Sequence, residues 1–320
     1  MSKLCIYATI TAEKYPSVWG ERKFPPNLYM KVNLQGGGRM LCKSIRSQIL
    51  FLLRQWSVQL VFFILLSLNL LNFVDNLKGL YGYDVYNIYH PAKMLLLSMN
   101  KSYYDATSVM FFIQIYPLLI ALPATLSLTS EDKRRTNIYI VSRCNPISYK
   151  LGKWIAVFSV TTLVFALPSL LELLLNVLVF PVTADHDPLA SGLFSASYYE
   201  AIHNYLFCDL YIINPYLHAV VSILFFGCCS GILAVFSMSL ASVFPLKFRV
   251  LYLLPPYILL AGYDSIVQKF ATDPTQHAWY QYLLLHTIYP KEIFCLLIVL
   301  VLMTVLSLVW TLSHRRSGYL

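Results

Sequence analysis

Residues 154–180 read WIAVFSVTTLVFALPSLLELLLNVLVF, a run with one carboxylate, Glu172, and no basic side chain. A span needs about 20 apolar residues to cross about 30 Å of hydrocarbon, and this run exceeds that. Lipid offers backbone amides no partners, so such a run must be helical. Its polar residues Thr162, Ser169, Glu172 and Asn176 are spaced by seven, three and four, which places them on one helix face. Being longer than one crossing requires, the run is expected to tilt, to kink at Pro168 or to extend beyond the membrane.

Working outward, five further windows qualify as spans: 56–74, 109–128, 217–244, 250–267 and 293–312. No series of short alternating segments is present, which argues against a membrane barrel. The composition agrees. Hydrophobic residues make up 58% of the 320-residue chain and charged residues 12%. That charged share is about half that of a soluble globular domain. The expected fold is all-α, a polytopic membrane protein with six transmembrane helices.

The 24 Lys and Arg residues set the expected direction. Nine precede residue 56, and six follow the second window (Lys133, Arg134, Arg135, Arg143, Lys150, Lys153). Lys247 and Arg249 follow the fourth window, and Arg315 and Arg316 the sixth. Only Lys78, Lys93, Lys101, Lys269 and Lys291 fall on the other side, where 181–215 carries Asp185, Asp187, Glu200 and Asp209 instead. The positive-inside rule then puts both termini in the cytoplasm. The net charge of +9 reads as a topology signal, with no nucleic-acid partner implied.

Residues 1–39 lack the apolar core of a signal peptide and contain Pro16, Pro25, Pro26 and Gly36-Gly37-Gly38, so a loose tail is expected. The run Gly36–Arg39 before Met40 is also what a translated ribosome-binding site would encode, which predicts Met40 as the alternative start. Over 40–55, Leu41, Ile45, Ile49, Leu52 and Leu53 recur at helical spacing opposite Lys43, Arg46 and Arg54. This predicts an amphipathic helix at the membrane interface, or an early start of the first span with a basic flank.

The loop after the second window reads Thr129-Ser130-Glu131-Asp132-Lys133-Arg134-Arg135, then Ser142-Arg143-Cys144-Asn145-Pro146 and Tyr149-Lys150. Thr129 followed by Asp132 has the form of a helix N-terminal cap, and Asn145-Pro146 should end a helix. A short charged helix there suits docking into a partner's groove; a solvated basic loop is the plainer alternative.

Those residues carry a resemblance. The run Tyr116-Pro117-Leu118-Leu119-Ile120-Ala121-Leu122-Pro123, then Ser127, Glu131, Ser142-Arg143, Tyr149 and Lys150, is similar to the corresponding segment in bacterial permeases of the ABC-2 type. Pro215-Tyr216-Leu217 and Leu253-Leu254-Pro255-Pro256-Tyr257 fit the same family, and the resemblance extends over 40–316. It implies a six-span permease domain over 56–316 in the cell membrane and a second, identical or different, permease subunit. It also implies a cytoplasmic ATP-binding subunit that meets the loop between spans two and three. Carried onto this chain, it nominates Glu131, Asp132, Arg135 and Arg143 as coupling residues. The chain itself has no G-x-x-x-x-G-K-[ST] loop, so ATP hydrolysis is expected elsewhere.

Glu172 and Asn176, with Asn69 and Asn72 of the first window, are the candidate substrate path. The plainer alternative is interhelical hydrogen bonding. Another is a carboxylate that has reached the interface, about 27 Å along the helix from Trp154. Gly227 and Gly231 are four apart, as in close helix contacts, within one chain or between subunits. For the aromatic stretch 271–292 the resemblance implies a re-entrant segment between the last two spans; the plainer alternative is an interfacial belt.

Seven dispersed cysteines without a C-x-x-C pair imply neither a disulfide framework nor a zinc site, and no cofactor is expected. Intramembrane proteolysis is disfavoured. Cys228 stands where a Gly-x-Ser-Gly site needs glycine, and H-E-x-x-H is absent. A non-catalytic scaffold or immunity protein and an ion-coupled transporter remain as alternatives. The latter would favour an internal repeat and several midplane charges.

Overall fold

The computed structural model describes residues 37–82, 90–98, 106–134, 146–180, 205–243, 253–271, 277–285 and 293–313. The chain divides at Arg39/Met40, and the second unit, Met40–Leu320, holds the helices apart from the first three residues of the first one. The elements are α1 (Gly37–Leu53), α2 (Trp56–Leu80), a 3-10 turn (Pro91–Met94), α3 (Ala106–Arg134), α4 (Pro146–Val179), the short α5 (Cys208–Ile213), α6 (Pro215–Val243), α7 (Leu254–Phe270), a second 3-10 turn (Trp279–Tyr282) and α8 (Ile293–Ser313). Among the described residues every regular element is a helix and none is a strand.

Among the described residues, four helices are long and apolar enough to cross a membrane: α2, α4, α6 and α8. Ser108–Ala124 of α3 is a shorter apolar segment. α7 has 17 residues and carries Asp264 and Lys269. α4 has 34 residues and runs unbroken through Pro168. At the usual rise of an α-helix it is about 51 Å long.

Pairings fix the helix directions. Phe112 and Tyr116 of α3 meet Phe226 and Ser230 of α6 in the same order, so these two helices are parallel. Added carbons on Gly227 and Gly231 of α6 would meet Ala166 and then Phe158 of α4, so α4 and α6 are antiparallel. Trp154 Nε1 donates to Ser307 Oγ at 3.0 Å and Lys150 Nζ to the Leu312 carbonyl at 3.3 Å, so α8 is antiparallel to α4. The Lys150 bond also covers a carbonyl at the negative end of α8, where a cation is favourable.

The core is aromatic. Tyr116, Phe112, Phe165 and Phe226 pack ring to ring at 5.6–6.1 Å across α3, α4 and α6. By contrast, Phe294, Val301, Leu302, Val305 and Val309 of α8 are exposed. An outward apolar face of this extent belongs in lipid or against another protein.

α1 and α2 are separate helices, divided at Arg54-Gln55; α1 buries Ser44, Gln48 and Leu52, leaves Ile45 and Ile49 half-buried, and exposes Lys43, Arg46, Leu53 and Arg54. Gly152 of α4 leaves room beside it for the small side chain of Ser44, which is why this polar residue is accommodated on the inward face beside Leu52. One local expectation differs from the structure. Thr129 does not open a helix. α3 continues through it to Arg134, because 124–134 contains neither Gly nor Pro.

A buried polar strip between two helices

Asn72 of α2 and Glu172 of α4 meet inside the bundle, both essentially without exposure. A buried carboxylate must be hydrogen-bonded to be tolerated. Asn72 Nδ2 donates to Glu172 Oε1, and the Leu96 backbone N–H is shared between the two carboxylate oxygens at 3.0 and 3.1 Å. Asn72 Nδ2 also donates to the Met94 carbonyl at 3.1 Å, and Asn76 Nδ2 joins it there at 2.8 Å.

Those contacts bind a segment that sequence reading passes over. Residues 90–98, between α2 and α3, are buried along their whole length although they contain His90 and Lys93. His90 Nδ1 accepts the Ala92 N–H at 3.2 Å, closing the 3-10 turn, and its ring lies 4.8 Å from Tyr216. Burial, with the neighbouring Lys93 charge adding to it, lowers the His90 pKa to about 4. Burial lowers that of Lys93 to about 8. The available signal is the apolar run from Met94 to Leu97 after His90-Pro91. It is too short to cross lipid, and therefore a re-entrant or buried segment.

A second buried segment, 277–285, lies against the first: the Leu285 N–H donates to the Leu97 carbonyl at 2.9 Å. Trp279 stacks on Tyr116 at 5.7 Å and 17°, and its backbone N–H reaches Asp264 Oδ1 at 3.4 Å. Ala278, Gln281, Leu284 and Leu285 are buried, so 277–285 packs into the protein. Tyr116 hydroxyl and Ser230 Oγ share a hydrogen bond of 2.9 Å, and Ser230 also donates to the Phe226 carbonyl.

The four candidate path residues thus occupy one strip. The same three-then-four spacing occurs on both helices, Asn69–Asn72–Asn76 on α2 and Ser169–Glu172–Asn176 on α4, with the Asn72–Glu172 contact setting their register. Asn69 Nδ2 donates to the Leu65 carbonyl of its own helix, while Asn69 Oδ1 has no partner among the described residues. Asn176 is fully buried, and among the described residues neither atom of its amide has a partner. Gly227 and Gly231 face α4 of the same chain, where added carbons would meet the Thr162 carbonyl at 2.8 Å and Phe158 Cδ2 at 2.9 Å.

Of the coupling residues, Glu131 and Asp132 fall in the last turn of α3, while Arg135 and Arg143 lie outside the described residues. Among the described residues no group of three His, Cys, Asp or Glu could hold a metal ion. No family model matches this chain, nor does any curated protein or solved structure.

Proposed function

We propose that this chain is the membrane-spanning permease subunit of an ABC-type transporter in the cell membrane. It crosses six times with both termini in the cytoplasm. It works with a second permease subunit and takes its energy from ATP hydrolysed on a separate cytoplasmic subunit.

The observation that carries this reading is the continuity of α3. One helix runs from the aromatic core at Tyr116 to the charged turn at Glu131–Arg134. The distance along its axis is about 22 Å. Force applied at the charged end is therefore delivered to the core. Pro117 and Pro123 each remove a backbone hydrogen bond between the two ends and give the rod places to bend. The alternating directions of α3, α4 and α6 support repeated crossing. The polar strip supports a path for something other than lipid.

The test is affinity isolation of the tagged full-length chain from its native membrane in mild detergent, followed by an ATPase assay. ATP hydrolysis should co-elute and should be lost in Glu131→Lys and Arg143→Glu variants that retain their helical circular dichroism. An eluate without ATPase, or one unaffected by both charge reversals, overturns the proposal.

A further inference from the structure

We infer that the strip of Asn69, Asn72, Glu172 and Asn176 is a binding site for a cationic, N–H-bearing group of the substrate, and that segment 90–98 is its gate on the extracellular face. The inference deepens the transporter reading and rests on it for the term substrate and for the direction of the opening.

The present partners of Glu172 indicate the chemistry the site would take. Glu172 accepts an N–H from the Asn72 amide and another from the Leu96 backbone. The second belongs to the segment that covers it, so an amine or ammonium group could take the place of the Leu96 N–H when the segment lifts. One turn away, the Asn176 amide offers a donor and an acceptor that no described residue uses, and Asn69 Oδ1 adds an acceptor on the facing helix. Buried polar atoms are normally satisfied, and such orphans are uncommon. One unused amide, that of Asn176, and one unused carbonyl oxygen, that of Asn69, flank the buried carboxylate and describe a site whose remaining partner comes from outside the chain.

The segment has the attachments of a gate. Beyond its single 3-10 turn it has no helix of its own. It is held by Asn72 and Asn76 on the Met94 carbonyl, by Glu172 on the Leu96 N–H, and by Leu285 on the Leu97 carbonyl. A charged ligand competing for Glu172 weakens the central one of these attachments.

The test uses Asn176→Cys in the full chain in intact cells, with label at position 176 located by mass spectrometry. The probes are two membrane-impermeant thiol reagents, trimethylammonium-ethyl and sulfonatoethyl methanethiosulfonate. The thiolate itself favours the cationic reagent, so the ratio of the two rates is referred to that at the exposed Tyr81→Cys. A cation approaching Glu172 is favoured further, so the ratio at position 176 should exceed that at position 81 by about tenfold or more. Adding Glu172→Gln should bring the two ratios together. Asn69→Cys is a second reporter should Asn176→Cys fail to fold. Tyr81→Cys, at an exposed position, verifies reagent access.

A ratio at position 176 no higher than at position 81 overturns the inference. So does an absence of label at positions 176 and 69 while position 81 is labelled. ATP hydrolysis plays no part in the readout. Charge-selective labelling in a chain that brings down no ATPase would keep the site and remove the transporter reading. The opposite pair of results would remove the site alone.

Discussion

Asn72 and Glu172, a hundred positions apart, are joined side chain to side chain between α2 and α4, and the same carboxylate receives the Leu96 backbone N–H. One buried carboxylate therefore ties two long helices to the segment between α2 and α3. Glu172→Ala leaves both donors without that acceptor and should lower stability in detergent by about 3 kcal/mol. Glu172→Gln, which keeps one acceptor oxygen, should lower it by less. A double-mutant cycle with Asn72→Ala should show coupling of about 1 kcal/mol or more. Additive effects would mean that the two side chains do not act together.

Gly227 and Gly231 let α6 approach α4 closely. Carbons added there would lie 2.8 Å from the Thr162 carbonyl and 2.9 Å from Phe158 Cδ2, closer than real side-chain carbons come. Gly227→Ala and Gly231→Ala should each destabilise the chain by about 1–3 kcal/mol, the usual range for overpacking. Because the contact lies within one chain, subunit association measured by light scattering should not change. Dissociation of an assembly without loss of thermal stability would contradict this.

Tyr116 places its hydroxyl on Ser230, which also holds the Phe226 carbonyl. Tyr116→Phe should therefore lower stability by only about 1 kcal/mol. Tyr116→Ala empties the space between Phe112, Phe165, Phe226 and Trp279. That change should lower stability by about 3–5 kcal/mol. Thermal denaturation of the two variants in the same detergent separates the hydrogen bond from the packing.

His90 makes the docked segment sensitive to acid. Burial and the Lys93 charge depress its pKa from 6.5 to about 4, so the docked state binds its proton less readily than the undocked state. Stability is fully present above about pH 6.5 and is lost as the pH falls towards 4, by up to about 3 kcal/mol. Unfolding midpoints in detergent between pH 7 and pH 4 should show this fall, and His90→Gln should reduce its slope. Parallel pH profiles for the two proteins would rule out His90 as the source.

The long apolar helices are legible in the sequence because hydrocarbon imposes one demand, a continuous helix, that composition alone reveals. Thus 154–180 reads as a span without reference to any other residue. The polar residues of the strip are legible on each helix, because three-and-four spacing places Ser169, Glu172 and Asn176 on one face. What Glu172 touches is not. Its partner Leu96 lies in a run too short to show periodicity, and its hydrogen bond uses a backbone N–H that nearly every residue type carries. Tyr116 and Ser230 stay hidden for the same reason, since nothing local marks two residues that meet across α3 and α6. On α1 the inward place of Ser44 escapes a reading of the helix's own residues, because the room for it is made by Gly152, far along the chain.

Lys150 and Leu312 bring the start of α4 and the end of α8 together at 3.3 Å, so the charged end of α3 that precedes α4 and the carboxyl terminus should lie on one side of the membrane. The proposal that a cytoplasmic ATPase acts on that charged end requires the side to be the cytoplasm. The direct measurement is labelling of Arg134→Cys and Arg316→Cys with an impermeant biotin maleimide, before and after permeabilising the cells. Both introduced thiols should be protected in intact cells and labelled once the membrane is opened; labelling of either in intact cells would contradict the proposed topology and the coupling that depends on it.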